Sequence, residues 1–266
     1  MADDAAVLKR GAHVVCGTPG RVLDHIRRGI LDARSIKAVV IDEVDVMLSV
    51  GFKEQVQDVF RALPANVQAI AVSATLSTEV MGITEQFLRE PTRILIPEEE
   101  IPLEAILQFY VDCDKEAFKL DVLCDLFELL SISKTVIFCN SRQTAERLGA
   151  DMTERDFSVS VLHSDLLPQE RVQRMNEFRH GATRVLIATD ILARGIDVQQ
   201  VSIVVNYDVP RDVANYIHRI GRGGRLGRKA VAINLVTPRD TEAVRDIEKH
   251  YRISIGEMPS NVATLL

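Results

Sequence analysis

Short apolar runs rich in valine and isoleucine recur along the second half of the chain and predict buried strands. The runs occupy residues 106–111, 135–139, 159–162, 184–188, 202–206 and 230–236. Runs that are apolar on both faces are typical of parallel strands covered on both sides. Because amphipathic segments separate them, the pattern predicts an α/β domain with a doubly wound sheet.

The first half shows the same kind of pattern but fewer runs. Residues 13–16, 38–41, 69–72 and 93–96 each predict a buried parallel strand. The second and third runs are separated by one helical face, formed by Phe52, Val56, Val59, Phe60 and Leu63. This is fewer strands than a covered parallel sheet usually has, so we expect the first sheet to be incomplete.

A proline-bounded acidic stretch separates the two halves. Pro97 and Pro102 enclose three consecutive glutamates, a sequence that neither a helix nor an interior strand would tolerate. We predict a linker at residues 98–102, a first domain at 1–97 and a second domain at 103–266.

A helix is predicted after Asp212, whose side chain is a typical N-cap. Its apolar residues recur at helical spacing and form one face; they are Val213, Tyr216, Ile217 and Ile220. His218 and Arg219 fall off this face, and we expect Gly221 to end the helix.

Composition narrows the function classes. The 266 residues are 47% hydrophobic and carry a formal net charge of −6, so nucleic acid could be bound only through a local basic surface. The four cysteines show no spacing typical of zinc sites or disulfide frameworks. No apolar run reaches the about 18 residues that span a bilayer. We expect a cytoplasmic protein with no membrane contact, and a nuclear location stays open.

Carboxylates follow the predicted strand at residues 38–41. Asp42, Glu43 and Asp45 lie where open α/β sheets bind their ligands, and carboxylates there can hold Mg²⁺ and orient water. An acidic surface turn would give the same pattern, and the tetrapeptide is also similar to a caspase cleavage site.

Hydroxyl and glycine residues mark two further segments of the first half. Ser73 and Thr75 follow the run at 69–72, although such residues also cap helices routinely. Thr18, Gly20 and Arg21 open a predicted helix, where backbone N–H groups suit a phosphate, and a plain tight turn is the alternative.

The second half offers polar residues after the run at 184–188 and a basic segment near its end. Thr189 is followed by Arg194, Gly195 and Asp197; the glycine permits close backbone approach, and the aspartate can accept from a ribose hydroxyl. In the segment 218–225, arginines on a glycine-rich stretch can reach a transferring phosphate. A solvated basic patch or a localisation signal is the alternative.

Taken in order, these motifs resemble the DEAD-box RNA helicases, and most closely the translation initiation factor 4A group. The motifs are Thr-Pro-Gly-Arg (18–21), Asp-Glu-Val-Asp (42–45), Ser-Ala-Thr (73–75), Ile-Phe-Cys-Asn (137–140), Ala-Arg-Gly-Ile-Asp-Val-Gln-Gln (193–200) and His-Arg-Ile-Gly-Arg-Gly-Gly-Arg (218–225). The resemblance extends from about residue 13 to the carboxyl end. It implies tandem RecA-like parallel-sheet domains that bind ATP and RNA.

The resemblance assigns roles on the nucleotide side. It makes Asp42 a water-mediated Mg²⁺ ligand and Glu43 the residue that orients the attacking water. Arg222 and Arg225 become arginine fingers. The resemblance implies that four residues couple the nucleotide state to domain closure: Asp45, Ser73, Thr75 and His218. It implies that Gly195 and Asp197 contact the nucleotide.

On the RNA side, the resemblance implies backbone contacts without sequence preference. The residues are Thr18, Gly20, Arg21, Arg171, Thr189 and Arg194.

The chain also departs from the family pattern. Val44 replaces a usual alanine, Ser164 a usual glycine, and Pro168 an RNA-contacting glutamine that Gln169 would have to replace. No Gly-x-x-x-x-Gly-Lys-Ser/Thr phosphate loop occurs among the 14 glycines. We therefore expect the sequence to be amino-terminally truncated relative to the family, with apolar sheet edges exposed in the first domain.

The resemblance implies an ATP-dependent RNA helicase that uses Mg²⁺ and works in translation initiation, with splicing-linked or ribosome-assembly roles left open. The expected partners are RNA, ATP and a helical-repeat scaffold of the initiation factor 4G kind, and the expected state is a monomer. The alternative is a non-hydrolysing product that binds RNA or a partner and competes with a full-length helicase.

Overall fold

A computed structural model describes residues 2–49, 51–96, 106–130, 134–190, 201–223 and 230–259. The chain divides into two compact units, Met1–Leu95 and Ile96–Leu266. The predicted linker at 98–102 lies outside the described residues. Within the described ranges, none of the helices has the length and apolar character needed to cross a membrane.

The first unit is a two-stranded parallel sheet with helices. Its helices are α1 (Ala2–Arg10), α2 (Pro19–Arg27), α3 (Val44–Ser49), α4 (Lys53–Ala62) and α5 (Thr78–Thr84), with a short 3-10 helix at Ala33–Ser35. Its strands are β1 (Ala38–Ile41) and β2 (Gln68–Ala71). Ala38 pairs with Gln68 in this sheet. The core contains Ile41, Val44, Leu48, Val56 and Val80.

The predicted strands of the first unit are confirmed at β1 and, shifted by one residue, at β2. The strands predicted at 13–16 and 93–96 are wrong, because both segments are irregular. A strand needs a neighbouring ladder, and within the described residues β1 and β2 pair only with each other. The apolar side chains of the two segments are therefore exposed, with Val14 at 79% and Ile94 at 88%.

The second unit contains a seven-stranded parallel sheet in the order β5-β6-β4-β7-β8-β3-β9. Its strands are β3 (Ile106–Asp112), β4 (Thr135–Cys139), β5 (Val159–Leu162), β6 (Val185–Thr189), β7 (Ile203–Asn206), β8 (Ala230–Val236) and β9 (Gly256–Glu257). The six predicted strands are confirmed to within one or two residues, and β9 is an additional short strand at the edge.

The helices of the second unit begin and end where local signals place them. They are α6 (Lys119–Leu129), α7 (Arg142–Glu154), α8 (Pro168–His180), α9 (Val213–Ile220) and α10 (Thr241–Tyr251), with a 3-10 helix at Glu116–Phe118. Asp212 caps α9 as predicted, because its Oδ1 accepts a 3.0 Å bond from the amide of Ala214. Gly181 ends α8 with a φ of +80°.

Apolar clusters cover both faces of this sheet. Ile137 and Cys139 of β4 lie in a cluster with Leu148 and Met152 of α7. The alternate residues Val136 and Phe138 lie in a second cluster with Phe178 of α8. This confirms the doubly wound α/β architecture, and it brings the carboxyl ends of β4, β6 and β7 side by side.

Candidate functional site

The acidic motif of the first unit lies in a tight bend after β1. Asp42 is exposed, and its Oδ1 accepts a 2.9 Å hydrogen bond from the amide of Glu43. Glu43 has a φ of +49°, a left-handed conformation that residues other than glycine seldom adopt. Strained backbone of this kind often accompanies functional sites because it aims a side chain.

A hydrogen bond brings the acidic motif and the Ser-Ala-Thr motif together. Thr75 Oγ1 donates to Asp45 Oδ2 at 2.6 Å, and Ser73 Oγ donates to the carbonyl of Thr75 at 2.7 Å. The contact follows from the parallel pairing of β1 and β2, whose carboxyl ends meet at one edge. Val44 is fully buried in the core, so the bulk that it adds relative to alanine packs into the hydrophobic interior.

The donor set here fits a magnesium ion that arrives with a nucleotide. Among the described residues, no group of three His, Cys, Asp or Glu side chains could hold a metal by itself. Mg²⁺ at nucleotide sites is typically bound by one or two carboxylates together with water and phosphate oxygens. The exposed carboxylate of Asp42 supplies one such protein group.

The Thr-Pro-Gly-Arg segment forms the start of α2, as predicted. Thr18 is the N-cap in an extended conformation, and its side chain makes no capping bond. Pro19 is the first helical residue, where a missing N–H costs nothing. Arg21 lies on the exposed side, with Nε 3.9 Å from Asp4 Oδ2 of α1.

In the second unit, Arg219 of α9 is fully buried and contacts the ends of three strands. Its Nε and Nη2 donate to the two carboxylate oxygens of Asp190, after β6, at 2.5 and 2.8 Å. Nη2 also donates to Asn140 Oδ1, after β4, at 2.7 Å. Nη1 donates to the carbonyl of Asp208, after β7, at 2.7 Å. Its guanidinium carbon lies 5.4 Å from the ring centroid of Phe138.

The position of Arg219 corrects the sequence-based expectation. Periodicity put His218 and Arg219 off the buried face of α9, yet their exposed fractions are 5% and 0%. The helix is buried on several sides, because its apolar face packs in one cluster while Arg219 fills the polar gap at the strand ends. Sequence reasoning missed three of these residues, Arg219, Asn140 and Asp208. Two features of the sequence could have indicated the buried pair of elements: Arg219 precedes the apolar Ile220, and Asp208 lies shortly after the predicted strand at 202–206.

The basic segment after α9 is shaped by glycines. Gly221 is the C-cap, as predicted, and Arg222 Nε donates to the carbonyl of His218 at 3.0 Å. A Cβ on Gly223 would lie 2.7 Å from Cβ of Ala230, closer than such atoms approach. Glycine at 223 therefore lets this segment pack against the start of β8. The predicted residues Arg194, Gly195, Asp197 and Arg225 lie outside the described residues.

The remaining RNA-side candidates lie at β6 and α8. Thr189 is the last residue of β6 and is 9% exposed. Arg171 lies in the first turn of α8, and its buried Nε has no hydrogen-bond partner among the described residues. A buried donor of this kind is costly unless a ligand or water satisfies it. Pro168 occupies the first helical position, and Gln169 beside it is exposed.

Burial changes the acidity of groups around the strand ends. It raises the pKa of the Asp208 carboxyl, while the hydrogen bond from the amide of Asn140 opposes that shift. Burial also raises the pKa of the Cys139 thiol. The thiolate is the reactive form of cysteine, so Cys139 is an inert core residue.

Family models match both units. The model described as DEAD/DEAH box helicase matches residues 1–83, and the model described as helicase conserved C-terminal domain matches residues 118–227.

Curated relatives match almost the whole chain. Eukaryotic initiation factor 4A of Drosophila melanogaster is 52% identical over 264 residues, which cover 99% of this chain and 66% of the relative. The ATP-dependent RNA helicase eIF4A of Schizosaccharomyces pombe is also 52% identical, with 99% and 67% covered. The chain thus spans about two thirds of the length of these relatives.

Solved structures are also similar to this chain. S. cerevisiae Dbp5 bound to RNA and ADP BeF3 has a TM-score of 0.88 and 39% identity, with 96% of this chain and 68% of that chain covered. A DEAD box protein from Methanococcus jannaschii has a TM-score of 0.57 and 31% identity, with 93% and 67% covered.

Proposed function

This chain belongs to the DEAD/DEAH-box helicase family, and we propose that it functions as an ATP-dependent RNA helicase in translation initiation. Such a helicase couples ATP hydrolysis to sequence-independent RNA binding and duplex unwinding. The observation that carries the proposal is the strand-end arrangement of the first unit, where Asp45 accepts a hydrogen bond from Thr75 beside the exposed Asp42. The assignment to translation is supported by 52% identity to initiation factor 4A of Drosophila melanogaster.

The roles proposed for ATP hydrolysis are assigned to residues of both units. Glu43 would orient the attacking water, and Asp42 would hold Mg²⁺ through a water molecule. The ion, when bound with ATP, neutralises charge on the phosphates. Arg222 and Arg225 supply cationic charge to the transferring phosphate. Electrostatic stabilisation of the transition state is usually the largest single contribution to catalysis. Coupling to domain closure is assigned to Asp45, Ser73, Thr75 and His218, and nucleotide contacts to Gly195 and Asp197.

The chain is proposed to bind RNA through contacts to its phosphates and sugars. Such contacts carry no sequence information, so the proposed binding is independent of RNA sequence. The unsatisfied Nε of Arg171 supports this assignment, because a phosphate oxygen would complete its hydrogen bonding. The other residues assigned to this side are Thr18, Gly20, Arg21, Thr189 and Arg194.

The proposed cellular setting follows the same relatives. We place the protein in the cytoplasm as a monomer that binds RNA, ATP and a helical-repeat initiation scaffold. A pull-down with such a scaffold, with and without RNA-degrading nuclease, tests the last partner. Binding that disappears with the nuclease would show that RNA bridges the two proteins.

RNA-stimulated ATP hydrolysis tests the enzymatic proposal. The test compares the 266-residue chain with a chimera in which a phosphate-loop segment typical of the family precedes residue 1. We expect RNA-stimulated turnover from the chimera and its loss in Glu43→Gln. Unchanged turnover in Glu43→Gln would show that the Glu43 carboxylate does not orient the attacking water.

One observation favours a second candidate function. The 266 residues contain no Gly-x-x-x-x-Gly-Lys-Ser/Thr segment, whose lysine and backbone cradle hold the β and γ phosphates. A product of this sequence alone would bind RNA or a partner without hydrolysis and compete with a full-length helicase. Inhibition of a full-length relative by added chain supports this role, and unchanged activity at saturating chain contradicts it.

A further inference from the structure

We propose that Asp4 of α1 competes with an RNA phosphate for Arg21 of α2, so that α1 lowers the RNA affinity of the first unit. The inference rests on the proposed function, because it takes Arg21 to be a contact to the RNA backbone. It goes beyond that function, because it assigns an inhibitory contact to α1.

One carboxylate oxygen of Asp4 faces two basic side chains of α2. Asp4 Oδ2 lies 3.9 Å from Arg21 Nε and 3.5 Å from His25 Nε2. Arg21 and His25 are four residues apart in α2, so they lie on the same face of the helix. The first turn of α1 therefore places an anion over the face of α2 that carries Arg21.

Arg21 is accessible to a second anion. The side chains of Arg21 and Asp4 are 41% and 46% exposed, so a phosphate can approach the guanidinium from solvent. A guanidinium binds carboxylates and phosphates in the same way, through N–H donors that face the oxygens. A phosphate and the Asp4 carboxylate at the same guanidinium would repel each other. Binding of RNA to Arg21 thus requires the carboxylate to be displaced.

A buried histidine keeps the carboxylate close to Arg21. The His25 side chain is 6% exposed, and neither ring nitrogen has a hydrogen-bond partner among the described residues. When the imidazole is protonated, it forms an ion pair with the oxygen of Asp4 that also faces Arg21. Movement of α1 away from α2 would take the carboxylate from both side chains at once. The docked position of α1 is therefore favoured, and the competitor is held in place.

The exposure of the pair sets the size of the effect. Exposed ion pairs contribute little free energy, so competition by such a pair lowers affinity only about threefold. The contact between Asp4 and Arg21 therefore adjusts the RNA affinity of the chain without abolishing it.

The experiment measures the affinity of the 266-residue chain for a single-stranded oligouridine at one fixed salt concentration. We expect Asp4→Asn to tighten binding about threefold, because asparagine does not compete as an anion. Asp3→Asn is the matched control, since it removes the same charge from an exposed neighbouring position of α1. Its affinity should stay close to wild type. Equal tightening in the two variants would show that only the net charge of α1 matters and would overturn the proposal.

A double-mutant cycle with Arg21→Gln identifies the group for which the two anions compete. In this background we expect Asp4→Asn to leave RNA affinity unchanged, because the shared cation is absent. If Asp4→Asn still tightened binding about threefold in Arg21→Gln, Asp4 would act at another place and the proposal would be wrong.

Amide hydrogen exchange provides a readout that does not require RNA. In the free chain, we expect Asp4→Asn to accelerate exchange within α1 more than Asp3→Asn does, because only Asp4 holds α1 against Arg21 and His25. Equal rates in the two variants would contradict this contact. If the wild-type chain bound no oligouridine, the proposed function would fail, and exchange in the free chain would still decide whether Asp4 holds α1 in place.

Exchange in the presence of RNA tests the competition itself. Coupling between two binding events is reciprocal, so RNA that displaces Asp4 should accelerate exchange within α1 of the wild-type chain. Slower exchange within α1 on addition of the oligouridine would show that RNA and the docked helix support each other, which would overturn the proposal.

Discussion

Thr75 and Asp45 are 30 residues apart in sequence, yet Thr75 Oγ1 donates a 2.6 Å hydrogen bond to Asp45 Oδ2. The contact joins the segment after β2 to the first turn of α3, which follows β1. It thereby fixes the position of the acidic motif relative to the neighbouring strand end.

The first prediction is that Thr75→Val destabilises the first unit. Valine keeps the shape but removes the donor to a carboxylate, and hydrogen bonds to charged groups contribute about 1.5–3 kcal/mol. We expect the free energy of opening of β1 and β2, measured by amide hydrogen exchange, to fall by about 1.5 kcal/mol. Thr78→Val is the control, since Thr78 is exposed on α5. Equal effects of the two substitutions would mean that the bond to Asp45 contributes nothing.

The second prediction is that the two units differ in resistance to proteolysis. The first unit has a two-stranded sheet with exposed apolar residues such as Val40, whereas the second has a sheet covered on both faces. Limited proteolysis should leave a resistant fragment of the second unit, because local opening there requires loss of a larger core. Cleavage of both units at the same rate would contradict this difference in stability.

Strand prediction from sequence succeeded where an apolar run had neighbours on both sides. Thr135–Cys139 was placed without error, because β4 is a central strand whose residues are all buried. The run at 13–16 has a similar composition but pairs with no other strand in the described part of the chain. Composition alone does not reveal whether a neighbouring strand is present.

The candidate site was predictable in its motifs but not in its internal contacts. The contact between Thr75 and Asp45 depends on β1 and β2 being neighbours in the sheet, which the apolar runs alone do not specify. The burial of Arg219 did not follow, because helical periodicity treats a charged residue as solvent-facing. Its acceptors Asp190 and Asn140 lie on separate strands, and only the strand order brings them together.

The third prediction concerns the buried ammonium of Lys119. Its Nζ lies 3.0 Å from Glu116 Oε1 and 3.3 Å from Asp240 Oδ2, and the side chain is 1% exposed. Lys119→Met would leave Asp240 without its cation, and removal of one partner of a buried ion pair costs about 3 kcal/mol. We expect the free energy of unfolding of the second unit to fall by this amount.

Tyrosine fluorescence during denaturant unfolding measures this loss. The chain has no tryptophan, and its four tyrosines, Tyr110, Tyr207, Tyr216 and Tyr251, all lie in the second unit. Lys115→Met is the matched control, because Lys115 is exposed. A fall for Lys119→Met no larger than that for the control would contradict the prediction.

The fourth prediction is a pH-dependent stabilisation by Asp208→Asn. Burial raises the pKa of the Asp208 carboxyl, an effect that Lys119 and Arg219 partly oppose. The ionised form therefore costs stability near neutral pH, and this cost disappears as the pH falls through the pKa of the folded state. Asparagine keeps an oxygen that can accept from the amide of Asn140. We expect the variant to be more stable at pH 7, with a difference that shrinks toward pH 4. A difference independent of pH would contradict the assignment.

At the centre of the proposed function, we propose that Arg222 and Arg225 act on the transferring phosphate and that Arg171 contacts RNA. The measurement that tests it most directly is the ATP turnover of the phosphate-loop chimera at saturating RNA. Arg222→Ala or Arg225→Ala should slow turnover about a hundredfold, the effect expected on removal of a preorganised cationic contact. Arg171→Ala should raise the RNA concentration that gives half-maximal turnover. Its turnover at saturating RNA should stay close to wild type. Normal saturated turnover in Arg222→Ala and Arg225→Ala, together with lost RNA affinity, would contradict the account.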